Sequence, residues 1–418
     1  MTAASGLRLE VDVDALSRRI DELAAISESP APAVTRVLFS EVDLRGREYV
    51  RRCAREAGLV VREDAIGNIF ARWEGSEPAL AAVGTGSHTD AIPNAGRYDG
   101  VVGVLGGFEA LAALRRAGFQ PRRSLEVVMF TSEEPTRFGL GCLGSRLMAG
   151  ALPLEKARAL RDRDGRSLDE LRASAGCKGD LESVRLPEGF YHSFVELHIE
   201  QGPILEREGR PIGIVEAIAG PSAYRVTFHG EGGHAGAVLM PDRHDASLAA
   251  AEVALAVERT AMTSGSADTV GTVGVWRIEP GACNSVPFRA QLEIDLRDTR
   301  LDSRDRALAA IREAVAESCT RRGLTSDWEE INADPPASGD PRTIEIAAQV
   351  CADLGLKCRR MISRAYHDSL FLARVSPTTM IFIPCRNGWS HRPEEFSSPE
   401  SIAAGVMVLA HTLARLAE

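Results

Sequence analysis

Leu80-Ala-Ala-Val-Gly-Thr-Gly-Ser-His-Thr-Asp90 opens as a short apolar strand, Leu80 to Gly84, and runs on into a histidine and an acid. Gly96-Arg-Tyr-Asp-Gly100 follows, then helical apolar spacing from Val101 to Ala117, then a second strand from Leu125 to Thr131. Strands separated by helices build layered α/β structures around a largely parallel sheet. Working outward, residues 9–25 and 35–57 carry helix-like spacing, and Phe194 to Ile199 reads as another strand. The C-terminal part returns to the same alternation, with Thr379-Met-Ile-Phe-Ile383 as a buried strand and a closing helix from Pro399. The expected fold class is α/β, a mostly parallel sheet flanked by helices.

Near Gly213 the pattern changes. Tyr224-Arg-Val-Thr-Phe228 alternates, an Ala-rich helix spans Ala246 to Met262, and Gln291-Leu-Glu-Ile-Asp-Leu-Arg297 alternates strictly. A helix from Arg304 to Arg322 precedes a linker at Asp334-Pro-Pro336. These features predict an α+β domain at 213–330, inserted into a discontinuous main domain of 1–212 plus 331–418. Half-polar strands suggest an open-faced sheet with helices on one side, a natural surface for a homodimer.

Composition excludes several classes. Of 418 residues, 44% are hydrophobic and 26% charged, ordinary for a globular chain rather than a disordered one. A net charge of −10 argues against nucleic acid or an anionic membrane as partner, and leaves a small molecule. No apolar run is long enough for a membrane span, and the N-terminus lacks the basic and apolar regions of a secretory signal. Eight scattered cysteines, none in C-x-x-C, fit free thiols in a reducing cytoplasm.

Histidines and acids gather at the strand ends. His88 ends the first strand, and Asp99 precedes the helix. Thr131-Ser-Glu-Glu-Pro135 brings Glu134, Glu196-Leu-His-Ile-Glu-Gln-Gly202 brings His198, and Trp389-Ser-His391 follows the C-terminal strand. In open parallel sheets ligands bind beyond the carboxyl ends of the strands, so residues distant in sequence can converge there. Imidazoles and carboxylates without thiolate suit Mn²⁺, Zn²⁺, Co²⁺ or Ni²⁺, and a carboxylate such as Asp99 can bridge two ions. Taken singly each has a plain alternative: a hydrogen-bonded strand-end histidine, an Asp-Gly turn at 99–100, or a solvated pair at Glu133-Glu134.

The motifs Gly-Ser-His-Thr-Asp, Gly-Arg-Tyr-Asp-Gly-Val-Val-Gly-Val, Thr-Ser-Glu-Glu-Pro-Thr-Arg-Phe and His-Ile-Glu-Gln-Gly-Pro resemble the amidohydrolase/carbamoylase branch of the M20 peptidase family. So do Gly-His-Ala-Gly at 233–236, Asn284, Asp295-Leu-Arg297 and Ser390-His391. The resemblance runs in unbroken order from about residue 80 to 400. It implies that His88, Asp99, Glu134, His198 and His391 hold two divalent ions, Mn²⁺ foremost, with Asp99 bridging and Glu133 as general base. It also implies that the inserted domain is a lid and dimerisation domain whose His234, Asn284 and Arg297 hold substrate, with Gln201 lining the pocket. His234 is typically donated across the dimer. In the peptidase branches an acid normally stands at the position of His198, so the histidine favours a carbamoyl or ureido substrate over a peptide.

Within the family, 232–241, Ser363-Arg-Ala-Tyr-His-Asp-Ser-Leu370 and Met380-Ile-Phe-Ile-Pro-Cys385 are most similar to the ureidoglycolate-hydrolysing members of purine-ureide catabolism. Tyr366 replaces a glycine common among carbamoylases, shrinking the pocket and adding a hydroxyl donor. The resemblance makes His367 a supporting residue rather than a ligand. The expected reaction is hydrolysis of (S)-ureidoglycolate to glyoxylate, ammonia and carbon dioxide. The alternatives are an N-carbamoyl-L-amino-acid hydrolase, an allantoate amidohydrolase, or a binding protein that has kept the fold without the chemistry. Glu133 speaks against the last, because binding alone needs no base.

Overall fold

The structure is a computed structural model that describes residues 7–418; residues 1–6, part of the segment read above for a secretory signal, lie outside the described residues. The chain forms two compact units. One comprises the residues up to Ala217 with Ser338–Ser363 and His367–Glu418; the other comprises Ile218–Ala337 with Arg364–Tyr366.

In the first unit, Ala82–His88 (β1) is buried along its whole length. Val101–Arg116 (α1) is apolar nearly all round and correspondingly buried. Leu125–Phe130 (β2) and Tyr191–Ile199 (β3) continue the sheet. Burial along nearly the whole of these strands is what a sheet covered on both faces gives, and the polar residues they carry, such as Glu126 and Glu196, are hydrogen-bonded inside it. Two expected helices start later than their spacing suggested. Val13–Ala24 begins after Asp12, whose carboxylate accepts the Ala15 N–H at 2.9 Å. Glu41–Glu56 begins after Ser40, whose hydroxyl accepts the Asp43 N–H; the apolar residues before it belong to a short strand, Val34–Arg36, and a turn. Capping oxygens compete with helix continuation and set these starts.

The second unit is an antiparallel sheet with two helices. Gly220–His229 (β4) is followed by Ala246–Thr263 (α2), Val270–Glu279 (β5), Arg289–Asp298 (β6), Leu301–Arg322 (α3) and Thr325–Ala333 (β7). The strand order is β5-β6-β4-β7. Val226, Phe228, Leu292, Ile294 and Leu296 form one core with Ala250, Val253, Val257, Ile311 and Val315 of the helices. Each buried Val, Leu, Ile or Phe side chain there contributes about 1.5–3 kcal/mol. The opposite face is polar, with Arg225 bonded to Glu293 and Glu329. Asp334, in the segment read as a linker, follows β7 as irregular chain and is buried, with Arg304 donating to its carbonyl.

Back in the first unit, Thr378–Ile383 (β8) is fully buried, and Pro399–Leu416 (α4) closes the fold. The sheet runs Ile212–Ile218, β8, β3, β1, β2, Ile69–Trp73, Val60–Glu63, with Cys358–Ser363 also paired to Ile212–Ile218. The four central strands are mutually parallel, Ile212–Ile218 runs antiparallel to β8, Ile69–Trp73 antiparallel to β2, and Val60–Glu63 antiparallel to Ile69–Trp73. The carboxyl ends of β1, β2, β3 and β8 therefore open on one side.

Candidate metal centre

Every expected ligand stands at that side. His88 ends β1, Glu133 and Glu134 follow β2, His198 is the penultimate residue of β3, and His391 lies on the loop after β8. Asp99 precedes α1. Its Oδ1 is 3.3 Å from Nε2 of both His88 and His198. Its Oδ2 is 3.6 Å from His391 Nε2, which is itself 3.2 Å from Glu134 Oε1. One group of ligand atoms is therefore His88, Asp99 and His198, and a second is Asp99, Glu134 and His391. Glu133 belongs to neither, although its Oε2 is 3.7 Å from His88 Nε2. A third group, Glu196, His198 and His367, is used up internally: Glu196 accepts from Ser87 and Ser369, and His367 Nε2 lies 3.0 Å from Ser363 Oγ.

Hydrogen bonding decides whether these groups suit a cation. His88 Nδ1 is 3.0 Å from the Asp90 carbonyl and His198 Nδ1 is 2.9 Å from the Ile199 carbonyl. A carbonyl only accepts, so both Nδ1 atoms carry a proton; His198 Nε2 in turn accepts the Gly100 N–H at 3.0 Å, and the Nε2 atoms of both rings stand 3.3 Å from Asp99 Oδ1. His88 Nε2 is buried without a hydrogen-bond partner. Two imidazole Nε2 atoms and a carboxylate oxygen within 4.8 Å of one another suit a divalent ion, which would take the His198 lone pair from the Gly100 N–H, and the backbone carbonyls orient the rings as they do in metal centres. Gly100 admits this packing: its φ is +65°, and a Cβ there would stand 2.4 Å from His88 Nε2.

The charge balance agrees. Burial alone would raise Asp99, but His198 and His88 hold it well below the usual carboxylate range. Glu133 goes the other way: burial, with Glu134, Asp368 and Asp99 nearby, pushes its carboxyl well up despite His88. Contact with Glu134 pushes His391 up to about 9, against the opposing effect of burial. So many acids facing three imidazoles make an electronegative centre that positive charge relieves.

Other residues at the centre were not singled out from the sequence. Asp90 accepts the N–H groups of Glu133 (3.2 Å) and Glu134 (3.1 Å), and burial pushes its carboxyl up to about 7. Cys142 Sγ is 3.8 Å from Glu133 Oε1. Ser390 donates to Asp99 Oδ2. Asp90 stood inside a quoted motif and Ser390 beside a ligand, which were the available signals. Gln201, which was expected, donates to Asp99 Oδ2 at 2.6 Å, and its own Oε1 is buried without a partner.

His234, Asn284, Arg297 and Tyr366 belong to the second unit. The Gly236 N–H donates to His234 Nδ1 at 3.1 Å, which leaves Nε2 as the donor. The Asn284 carbonyl accepts the Ala235 N–H, tying the asparagine to the His234 turn. Arg297 makes a two-pronged contact with Asp295 at 2.7 and 2.9 Å, and its guanidinium lies 5.5 Å from the Tyr366 ring centre.

Comparison with known proteins places this geometry. The profile of Peptidase family M20/M25/M40 matches residues 84–415. A ureidoglycolate hydrolase of Oryza sativa subsp. japonica is 56% identical over 413 residues, 97% of this chain and 85% of that protein. An N-carbamoyl-L-amino acid amidohydrolase of Geobacillus stearothermophilus is 39% identical over 408 residues, 96% of this chain and 98% of that one. The crystal structure of AtUAH in complex with glyoxylate superposes with a TM-score of 0.90 at 54% identity, covering 98% of both chains, and its complex with (S)-hydroxyglycine gives the same figures.

Proposed function

The chain belongs to peptidase family M20/M25/M40, and from that premise we propose that it is an amidohydrolase that uses two divalent ions to cleave the ureido group of (S)-ureidoglycolate. The observation that carries the reading is Asp99, whose two oxygens face two separate donor groups. The ureidoglycolate hydrolase and AtUAH relatives support the substrate. The nitrogen and oxygen donors suit Mn²⁺ best in our assignment, with Zn²⁺, Co²⁺ or Ni²⁺ fitting the same set.

His88 and His198 would hold one ion and Glu134 and His391 the other, with Asp99 shared between the two sets. When bound, the ions would supply Lewis-acid polarisation of the ureido carbonyl and of the attacking water. Glu133 takes the proton from the attacking water and passes it to the leaving nitrogen as the C–N bond breaks. The products are carbamate, which falls to ammonia and carbon dioxide, and hydroxyglycine, which loses ammonia to give glyoxylate. Asp90 holds the backbone of Glu133 and Glu134 during this exchange.

We assign the second unit the roles of lid and dimer contact. Arg297, oriented by Asp295, pairs with the substrate carboxylate together with Asn284, a match of planar groups. His234, donated across the dimer, and Tyr366 bind the hydroxyl. Gln201 Oε1 accepts from a substrate N–H. The dimer reading draws support from α2, where Leu248, Leu255 and Met262 recur every seventh residue at 41%, 56% and 81% exposure. Large exposed apolar stripes of this kind mark contact surfaces. Among the described residues no helix is long and apolar enough to cross a membrane, and a reducing cytoplasm suits the eight cysteines.

Ammonia release by metal-loaded protein tests the reading on (S)-ureidoglycolate, allantoate and several N-carbamoyl-L-amino acids. The highest kcat/KM is expected on (S)-ureidoglycolate, because a site built around a substrate hydroxyl leaves polar groups unpaired against analogues lacking it. A higher value on allantoate or N-carbamoyl-methionine would replace the substrate. No turnover of any of them would return the chain to a binding role.

A further inference from the structure

Asp99 and His391 lie on loops far apart in sequence, and Glu395 joins them. Its side chain is buried, at 4% exposure for the residue. Its Oε1 accepts the N–H of Tyr98 at 2.7 Å and of Asp99 at 3.1 Å. Its Oε2 lies 3.1 Å from Ser390 Oγ, the hydroxyl that donates to Asp99 Oδ2. Gly96 makes room for this carboxyl: a Cβ there would meet the Cβ and Cδ of Glu395 at 2.3 Å. Tyr98 and Phe396 pack edge to face at 5.9 Å beside the same junction.

The ligands differ in what holds them. His88, His198 and Glu134 are buried at strand ends, whereas the His391 side chain is 45% exposed and its φ is +59°. A non-glycine residue in that conformation persists only where its surroundings hold it. We infer that Glu395 is a positioning residue that locks the His391 loop to the Asp99 loop and so sets the Glu134–His391 subsite against the bridging carboxylate. It touches neither ligand group with its own oxygens, and it acts through the backbone of Asp99 and through Ser390. Supporting partners of this kind change metal affinity about 10–100-fold when removed.

The inference rests on the two-ion reading, and Mn²⁺ alone tests both. Metal-free protein is titrated with Mn²⁺ while the electron paramagnetic resonance signal of the free ion reports what is unbound. The native chain should bind two equivalents. Glu395→Ala should keep one ion at native affinity and bind the other about 10–100-fold more weakly. Glu395→Gln should restore most of the loss, since its Oε1 can accept both N–H groups and its Nε2 can donate to Ser390. If Glu395→Ala does not fold, as judged by thermal melting, Ser390→Ala carries the test with a smaller weakening of the same ion. Two ions bound at native affinity in a folded Glu395→Ala, or in Ser390→Ala where that variant carries the test, overturn the inference and leave the two-ion reading intact. Equal weakening of both ions, or a Glu395→Gln as weak as Glu395→Ala, overturns it too. A native chain that binds a single ion removes the two-ion reading and the inference together.

Discussion

In the first unit β1, β2 and β8 are buried from end to end, while in the second β5 and β7 alternate exposed and half-buried residues. The central strands of the first sheet are covered on both sides, with His88 and His198 at the carboxyl ends of β1 and β3 and Glu134 on the buried turn after β2. The second sheet has one apolar face, packed by α2 and α3, and one polar face bearing Arg225, Glu293 and Glu329. A buried scaffold suits ligands that must hold fixed distances, and a half-exposed sheet suits contact with changing surroundings. Residue changes in the two units should therefore fail in different ways.

Asp99→Ala should give the largest effect. Both ligand groups share this carboxylate, so metal content should fall for both ions and turnover should disappear, with the fold retained by circular dichroism. Loss of one ion alone would show that Asp99 does not bridge.

Arg297→Ala should give an intermediate effect of a different kind. Metal content should stay at the native level while KM rises about 10–100-fold, the size of a charge-assisted hydrogen bond worth about 1.5–3 kcal/mol. If kcat and metal content fell instead, the division of labour between the units would be wrong.

Glu252→Gln should give the smallest effect, on stability alone. Hydrogen bonds from Arg322 and Ser318 pull the Glu252 carboxyl down to about 2, and they tie α2 to the end of α3. A carboxyl lower in the folded than in the unfolded chain stabilises above the unfolded pKa and loses that contribution as pH falls toward the folded value. The variant should therefore melt about 1–3 °C lower than the native chain at pH 7, and the gap should close near pH 2. An unchanged gap at low pH would mean that the stabilisation is not electrostatic.

The two regions were also unequally legible. The donor residues His88, Asp99, Glu134, His198 and His391, which the structure brings together, could be picked out because imidazoles and acids near the ends of strands are conspicuous. Asp90 and Glu395 could not, because their work is to accept backbone N–H groups, and an acid two or four residues from a ligand has many plain reasons to be there. The strands β1, β2 and β8 could be read from short apolar stretches at 80–83, 127–130 and 380–383. The strands β5 and β7 could not: Val270-Gly-Thr-Val-Gly-Val-Trp276 is interrupted by glycines, and Thr325-Ser-Asp-Trp-Glu-Glu330 carries little apolar side chain. The insert consequently read as two strands where its main sheet has four, since edge strands with one solvated face leave a weak pattern. The antiparallel flanks of the first sheet escaped for a related reason, because strand direction is a tertiary property that the parallel core alone suggested.

The central claim is that Glu133 moves the proton while its neighbours hold the ions, and Glu133→Gln tests it most directly. Metal content and turnover on (S)-ureidoglycolate are to be measured on the same Mn²⁺-loaded preparation. The variant should bind two ions like the native chain and lose about 10²–10⁴-fold in kcat. Native turnover with both ions bound, or loss of an ion with the rate, would contradict the claim.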